Sequence, residues 1–131
     1  MAGVVFDANV VIALVDSDHI HHEAAKRIYL ENAGEDLYLS SLTYAEILVA
    51  PVLAKRLKSF SANLASAGFE VIGISADFSI ELAKCRAETS LKMPDSCVLA
   101  LAQSLGATVA TADRKLAITA RSAKIGVLVL E

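Results

Sequence analysis

The sequence predicts an α/β protein, a three-layer α/β/α sandwich around a central, mainly parallel sheet of about five strands. Two observations carry that expectation. Short apolar runs of buried-strand length alternate along the chain with longer Ala- and Leu-rich segments of helical spacing, and this alternation joins parallel strands through crossovers. Residues that start and stop helices also fall between the segments, where such an order needs them.

In chain order, Val4-Val5-Phe6 reads as the first strand, and Val10 to Val15 begins the helix after it. A helical pattern covers about 20–33, and Leu37-Tyr38-Leu39 gives the second strand. The next helical segment, 42–67, contains Pro51, which is expected to break or kink it. Val71-Ile72-Gly73-Ile74 is the third strand, and Ser75-Ala76-Asp77 opens a helix over 76–91. Pro94 suits the first turn of a helix over 94–105, and Gly106 suits its stop. Thr108-Val109-Ala110 and Val127-Leu128-Val129-Leu130 are the last two strands. No repeat, low-complexity tract or linker interrupts the pattern, so residues 1–131 are expected to form a single domain.

Hydrophobic residues make up 55% of the 131 residues and charged residues 21%, the balance of a folded globular domain. Asp7, Asp16 and Asp18 interrupt the longest apolar stretch, so no segment reaches the roughly 18–20 uncharged residues that cross a bilayer. The early acid and the lack of a basic leader argue against a signal peptide, and a cytoplasmic location without membrane association is expected. Cys85 and Cys97 lack metal-ligand spacing and fit apolar helical positions, as small core residues in a reducing compartment. A net charge of −3 argues against coating nucleic acid by bulk charge, but not against an acidic site with a basic rim.

The informative feature is a carboxylate, Asp7, set into Gly3-Val-Val-Phe-Asp-Ala-Asn-Val-Val-Ile-Ala-Leu-Val15. An unpaired buried charge costs several kcal/mol, so something must make it worth keeping. Ligands of open parallel sheets bind at the carboxyl ends of the strands, and Asp7 directly follows the first strand. Thr111 and Asp113 stand just past the fourth strand at the same edge, and Glu46 lies about one turn into the helix after the second. Asp95 begins the helix leading down to Thr108, and the pattern alone does not assign it to that edge. Clustered carboxylates repel one another unless protons or cations neutralise them, and oxygen donors without Cys or convincing His ligands favour Mg²⁺ or Mn²⁺ over Zn²⁺. Such ions clamp phosphates and activate water, which suggests phosphodiester hydrolysis.

Each acid also has a purely structural explanation. Thr43-x-x-Glu46 fits a capping box, Asp95 beside Pro94 suits the positive end of a helix, and Asp113 before Arg114-Lys115 suits a turn or an N-cap. Asp7 is the exception, since no cap is expected directly after a buried strand.

Four segments together resemble a PIN-domain ribonuclease, specifically a VapC-type toxin of a VapBC toxin-antitoxin pair. Val5-Phe-Asp-Ala-Asn9 resembles the opening motif, and Leu42-Thr-Tyr-Ala-Glu-Ile47 with Leu48-Val-Ala-Pro51 resembles the Glu-bearing helix. Met93-Pro-Asp-Ser96 with its Ala-rich helix resembles the third motif, and Thr111-Ala-Asp-Arg-Lys-Leu116 resembles the last. The resemblance implies a PIN-like fold and brings Asp7, Glu46, Asp95 and Asp113 into one acidic quartet, settling the place of Asp95. It also implies a Mg²⁺- or Mn²⁺-dependent endoribonuclease that leaves a 5′-phosphate on RNA. Asp7, Asp95 and Asp113 would be metal ligands, Glu46 would hold a second ion or orient water, and Asn9, Thr111 and Arg114 would support the acids or touch phosphate. A VapB-type antitoxin would lay a C-terminal segment with a basic residue over the site, and a homodimer would use an apolar helical face, with positions 44, 47, 48, 52 and 53 at suitable spacing.

Asp18-His-Ile-His-His-Glu23 resembles a metal-binding tag, but an exposed helix start explains it better. Arg114, Lys115, Arg121 and Lys124, and separately Lys55, Arg56 and Lys58, offer cations to phosphate or simply solvated helix faces. Aromatic residues are only 5% of the chain, too few for strong reading of bases by stacking. Two alternatives remain: a PIN-like binding module with weak or no nuclease activity, and a receiver-like phosphotransfer domain. The latter fits poorly, because Asp7-Ala8-Asn9 lacks the paired acid after the first strand and no Lys follows the fifth.

Overall fold

The computed structural model describes residues 3–131. The chain runs β1 (Val4–Phe6), α1 (Ala8–Val15), α2 (His22–Glu31), β2 (Leu37–Ser40), α3 (Ser41–Leu53), α4 (Leu57–Ser66), β3 (Phe69–Ile72), α5 (Ala76–Thr89), α6 (Met93–Leu105), β4 (Thr108–Thr111), α7 (Arg114–Ser122) and β5 (Val127–Val129). The five strands form one sheet in the order β3-β2-β1-β4-β5, and every pairing is parallel. The expected α/β/α sandwich is therefore present.

Strand alternation divides the core into two layers. Val4, Phe6, Leu37, Leu39 and Ala110 face one side, where they meet Val10, Ala25, Ile47 and Leu64 of α1, α2, α3 and α4. Val5 and Val109 face the other side and meet Cys85, Leu99, Leu116 and Ala120 of α5, α6 and α7. Phe69 anchors the edge strand β3 by an edge-on contact with Phe6, ring centroids 5.1 Å apart, and by stacking with Tyr29 at 6.0 Å. The helix α6 is the most deeply buried, with Ser96 to Ala102 all inside, as its Ala-rich sequence allows. Both cysteines are buried free thiols, as expected.

Local signals explain most boundaries, and the exceptions have physical causes. Ser75 caps α5 by accepting from the Phe78 amide at 3.1 Å, and Gly106 ends α6 in the left-handed conformation at φ 65°. The 42–67 segment is two helices, as expected, but the break is not at Pro51 itself: Pro51 is buried in the last turns of α3, and the chain turns three residues later, at Ala54–Arg56, with Lys55 at φ 58°. β3 starts at Phe69 and ends at Ile72, earlier than the predicted 71–74, because pairing of Leu37 with Phe69 sets its register and Gly73-Ile74 have left the sheet. The helix α7 is absent from the sequence expectation, since only Leu116, Ala117 and Ala120 are buried on an otherwise polar turn-rich stretch.

Gly3 ties the start of β1 to both neighbours: its carbonyl accepts from the Thr108 amide at 2.9 Å, and the Val4 amide next to it donates to Asp36 at 2.8 Å. Its φ is +110°, and a Cβ there would collide with the Asp36 carbonyl. Gly3→Ala is expected to cost about 2–4 kcal/mol, read as a lower denaturant midpoint with an unchanged slope.

Candidate active site

The order β3-β2-β1-β4-β5 reverses direction between β1 and β4, which opens a crevice at their carboxyl ends. Both strands end there in polar residues. Asp7 is 6% exposed and Thr111 is fully buried. The Thr111 hydroxyl donates to Oδ2 of Asp7 at 2.7 Å and accepts from the Asp113 amide at 2.9 Å. Asn9 adds a second link: its Nδ2 donates to the same Oδ2 at 3.1 Å, and its Oδ1 accepts from the Ala112 amide at 3.0 Å. The remaining oxygen of Asp7 accepts from the Ala8 amide at 2.8 Å, so Asp7 also caps α1. That corrects the expectation that no cap was needed after this strand: α1 starts within one residue of β1, and its free amides face the carboxylate.

Asp113 likewise caps α7, accepting from the Leu116 amide at 2.9 Å. Glu46 is not part of a capping box, because Ser40 caps α3 by accepting from Thr43 at 3.0 Å. Glu46 stands instead on the second turn of α3, exposed, without a hydrogen bond or ion pair among the described residues. Asp95 lies in the first turn of α6, whose N-cap is Lys92.

The four acids lie near enough to act on one another by charge. Burial raises Asp7 above the usual carboxylate range despite its three donors, and Asp113 adds to the rise. Glu46, exposed but partly desolvated on the crevice side, is raised by that desolvation and then by Asp7. Asp95 is pushed up to about 6 by burial and then by Asp7, Asp113 and Glu46, and Lys92 offsets part of this. The helix start that sequence pattern left unassigned thus overlooks the same crevice. Among the described residues no three His, Cys, Asp or Glu side chains converge into a closed cage, so the acids share a field without pointing at a single spot.

Arg114 and Lys115 directly follow Asp113 in the first turn of α7 and are exposed. The histidines serve the α1–α2 turn: Nδ1 of His19 accepts from the His21 amide at 3.0 Å, and Nδ1 of His22 bonds the Ala13 carbonyl at 2.9 Å. Sequence reasoning missed Lys92, the cation that Asp95 feels; its unusual place at the cap before Met93-Pro94-Asp95 was the available signal.

The family model for the PIN domain matches residues 4–122. This chain belongs to the PIN domain family. No curated protein sequence matches it significantly. Among solved structures, this PIN domain is similar to a toxin-antitoxin complex from Klebsiella pneumoniae, with 26% identity, 98% of each chain covered and a TM-score of 0.78. It is also similar in fold to DNA-bound VapBC from Salmonella typhimurium, with 19% identity, all of both chains covered and a TM-score of 0.74. VapC20 of Mycobacterium tuberculosis, described as a Sarcin-Ricin loop cleaving toxin, matches at 16% identity over 89% of this chain and 95% of its own, TM-score 0.71. Among the described residues of this PIN domain no helix is long and apolar enough to cross a membrane.

The raised Asp95 has a direct consequence for stability. Its carboxyl titrates near 3.8 when unfolded and at about 6 when folded. Above pH 6 the folded protein therefore holds a charge it disfavours, and stability rises as pH falls from 6 toward 4. Without divalent cations, Asp95→Asn is expected to stabilise the domain at pH 8 by about 1 kcal/mol, solvent screening included. The gain should vanish near pH 4, as measured by urea titrations across pH.

Proposed function

We propose that this PIN domain is a metal-dependent endoribonuclease and the toxin of a VapBC-type pair. The observation that carries the proposal is the crowding of Asp7, Glu46, Asp95 and Asp113, which raises the first three in one crevice at the β1/β4 switch point. Capping accounts for Asp7 and Asp113 but not for Glu46 and Asp95, and only Lys92 lowers the affected groups by its charge.

The chemistry of the donor set, all carboxylate oxygen with four formal negative charges, fits Mg²⁺ or Mn²⁺, although among the described residues no three of the acids already converge as a cage. Asp7, Asp95 and Asp113 would hold the cation, with Glu46 at the mouth of the crevice. Bound there, the cation would supply charge neutralisation of a phosphodiester and activation of water. Asp7 is fixed for this by Thr111, Asn9 and Ala8, and Asp113 is oriented by the Leu116 amide. Glu46, free of local partners, is suited to orient a water or accept its proton, and burial plus the charge of Asp7 raise its proton affinity toward that task. Because Thr111 and Asn9 are committed on both sides, they act by holding carboxylates, not by touching phosphate.

An antitoxin partner is supported by a groove of about 570 Å³ lined by Ile12, Val15, Ile47, Pro51, Phe60 and Phe69, with Asp16 and Arg56 at its sides. It suits an apolar peptide segment. Val49, Val52 and Leu53 form a separate exposed apolar row on α3, a surface for a second copy of the chain.

Cleavage of RNA by the purified protein with Mg²⁺ or Mn²⁺ tests the proposal. Asp7→Asn should lower the rate about a hundredfold or more, and excess chelator should abolish cleavage. Cleavage that survives either change overturns the mechanism, and wild-type protein that binds RNA without cutting it favours the binding-module alternative. Independently of activity, millimolar Mg²⁺ or Mn²⁺ should raise the melting temperature of the wild type, and less so that of Asp95→Asn.

A further inference from the structure

The charge of the chain is unevenly divided. All 15 Asp and Glu residues lie outside residues 114–130, while that stretch holds four of the 12 Lys and Arg residues: Arg114, Lys115, Arg121 and Lys124. A chain of net charge −3 thus contains a C-terminal stretch of +4 set against −7 elsewhere. All four cations are exposed, and none forms an ion pair within 4.0 Å among the described residues. Helix stability does not account for the group. Arg114 and Lys115 stand at the positive end of α7, where its dipole disfavours them, and only Arg121, in the last turn, is placed where the dipole helps. Lys124 sits at φ 62°, a left-handed position after the helix that favours Gly.

The geometry of α7 makes these cations a track. Leu116, Ala117 and Ala120 bury one side of the helix, and Leu116 and Ala120 hold it on the core layer of Val5 and Val109. At about 100° per residue, Arg114, Ile118 and Arg121 fall together on the opposite, exposed side. Seven residues at about 1.5 Å each separate Arg114 from Arg121 by about 10 Å, the length of about three stacked nucleotides of one strand. Ile118, 56% exposed, lies between them. One end of the track is at the crevice: Asp113, whose amide donates to Thr111 and whose carboxylate caps α7, directly precedes Arg114. Lys124 stands beyond the other end, just past the last turn of the helix.

We propose that the exposed face of α7 binds the phosphate backbone of the RNA strand on one side of the bond to be cut. This rests on the ribonuclease reading. The occupant is a polyanion by charge complementarity: four unpaired cations with no acid among them gain most from a strand that brings one charge per nucleotide. No aromatic residue lies in 114–130, so the track holds the backbone without stacking on its bases. It supplies affinity and a minimum substrate length and takes no part in the chemistry of the crevice.

The test uses labelled single-stranded RNAs of about 4 and about 12 nucleotides, the shorter too short to fill both crevice and track. Binding to the full chain is read in excess chelator and steady-state cleavage with Mn²⁺, each at several salt concentrations. Arg121→Gln and Lys124→Gln should each weaken binding of the longer RNA and raise its KM about 3- to 10-fold near 0.1 M salt, with little change in kcat. Each should also flatten the log–log salt dependence by about 0.7, one phosphate contact on a single strand. The shorter RNA should be unaffected, as should both RNAs with Lys26→Gln, which removes an exposed cation from α2 on the opposite face of the sheet. Lys124→Gly, which suits the left-handed backbone, should melt higher than wild type and still bind the longer RNA less tightly, a combination that a merely structural lysine cannot produce. Unchanged binding, KM and salt slope in Arg121→Gln and Lys124→Gln overturn the track and leave the ribonuclease reading standing, and so does an equal loss in Lys26→Gln. RNA that is bound through Arg121 but not cut with either metal overturns the ribonuclease reading and leaves the track. Wild-type protein that neither binds nor cuts RNA overturns both.

Discussion

The Oδ2 atom of Asp7 is the junction on which the rest of the site depends. It accepts from Thr111 and Asn9, which reach it from the end of β4 and the start of α1, while the other oxygen holds the first free amide of α1. The same Thr111 hydroxyl then accepts the Asp113 amide, and Asn9 accepts the Ala112 amide. A single buried carboxylate therefore sets the angle between two strand-to-helix junctions, and through them the position of the acid on the second. Neutral donors hold it, not a salt bridge, so its charge is only partly compensated and its burial remains costly.

That cost is distributed, not removed. Asp95 and Glu46 come from helices on opposite faces of the sheet, and both are raised by burial and by the charge of Asp7. The order β3-β2-β1-β4-β5 makes this possible, because chain segments wound in opposite senses present their helix starts to one crevice. Stability is lost where the acids meet, and the two apolar layers around Phe6 and Leu99 supply the margin that tolerates it.

The layer order was legible in the sequence because strand-length apolar runs are buried on both faces, as with Val4 to Phe6 and Thr108 to Thr111. Less legible was anything set by pairing partners. Phe69 opens β3 because it faces Leu37, a long-range register that no local pattern encodes. Pro51 could stay helical because its ring sits in the buried side of α3, and the real corner lies at Lys55. Around the site, Asp7, Thr111 and Asp113 could be placed by strand ends alone, whereas Asp95 was placed by the family resemblance; the short step from Leu105 to Thr108, which puts the end of α6 at the amino edge and its start at the carboxyl edge, was the signal available for it. Lys92 was passed over because an exposed lysine carries no signal until its place at a helix cap is known.

Asp7 and Thr111 are 104 residues apart in the chain. A chain still being synthesised holds Asp7, Asn9 and Glu46 long before β4 exists to complete the junction, and in that interval Asp7 has lost a donor and its neighbour Asp113. The strand β1 must also wait at the centre of the sheet with one edge open until β4 arrives. Whatever chemistry the crevice performs is thus deferred until nearly the whole domain has been made. The wiring of the sheet acts as a timer on the site: a partial product of translation carries the first acids, but no assembled centre.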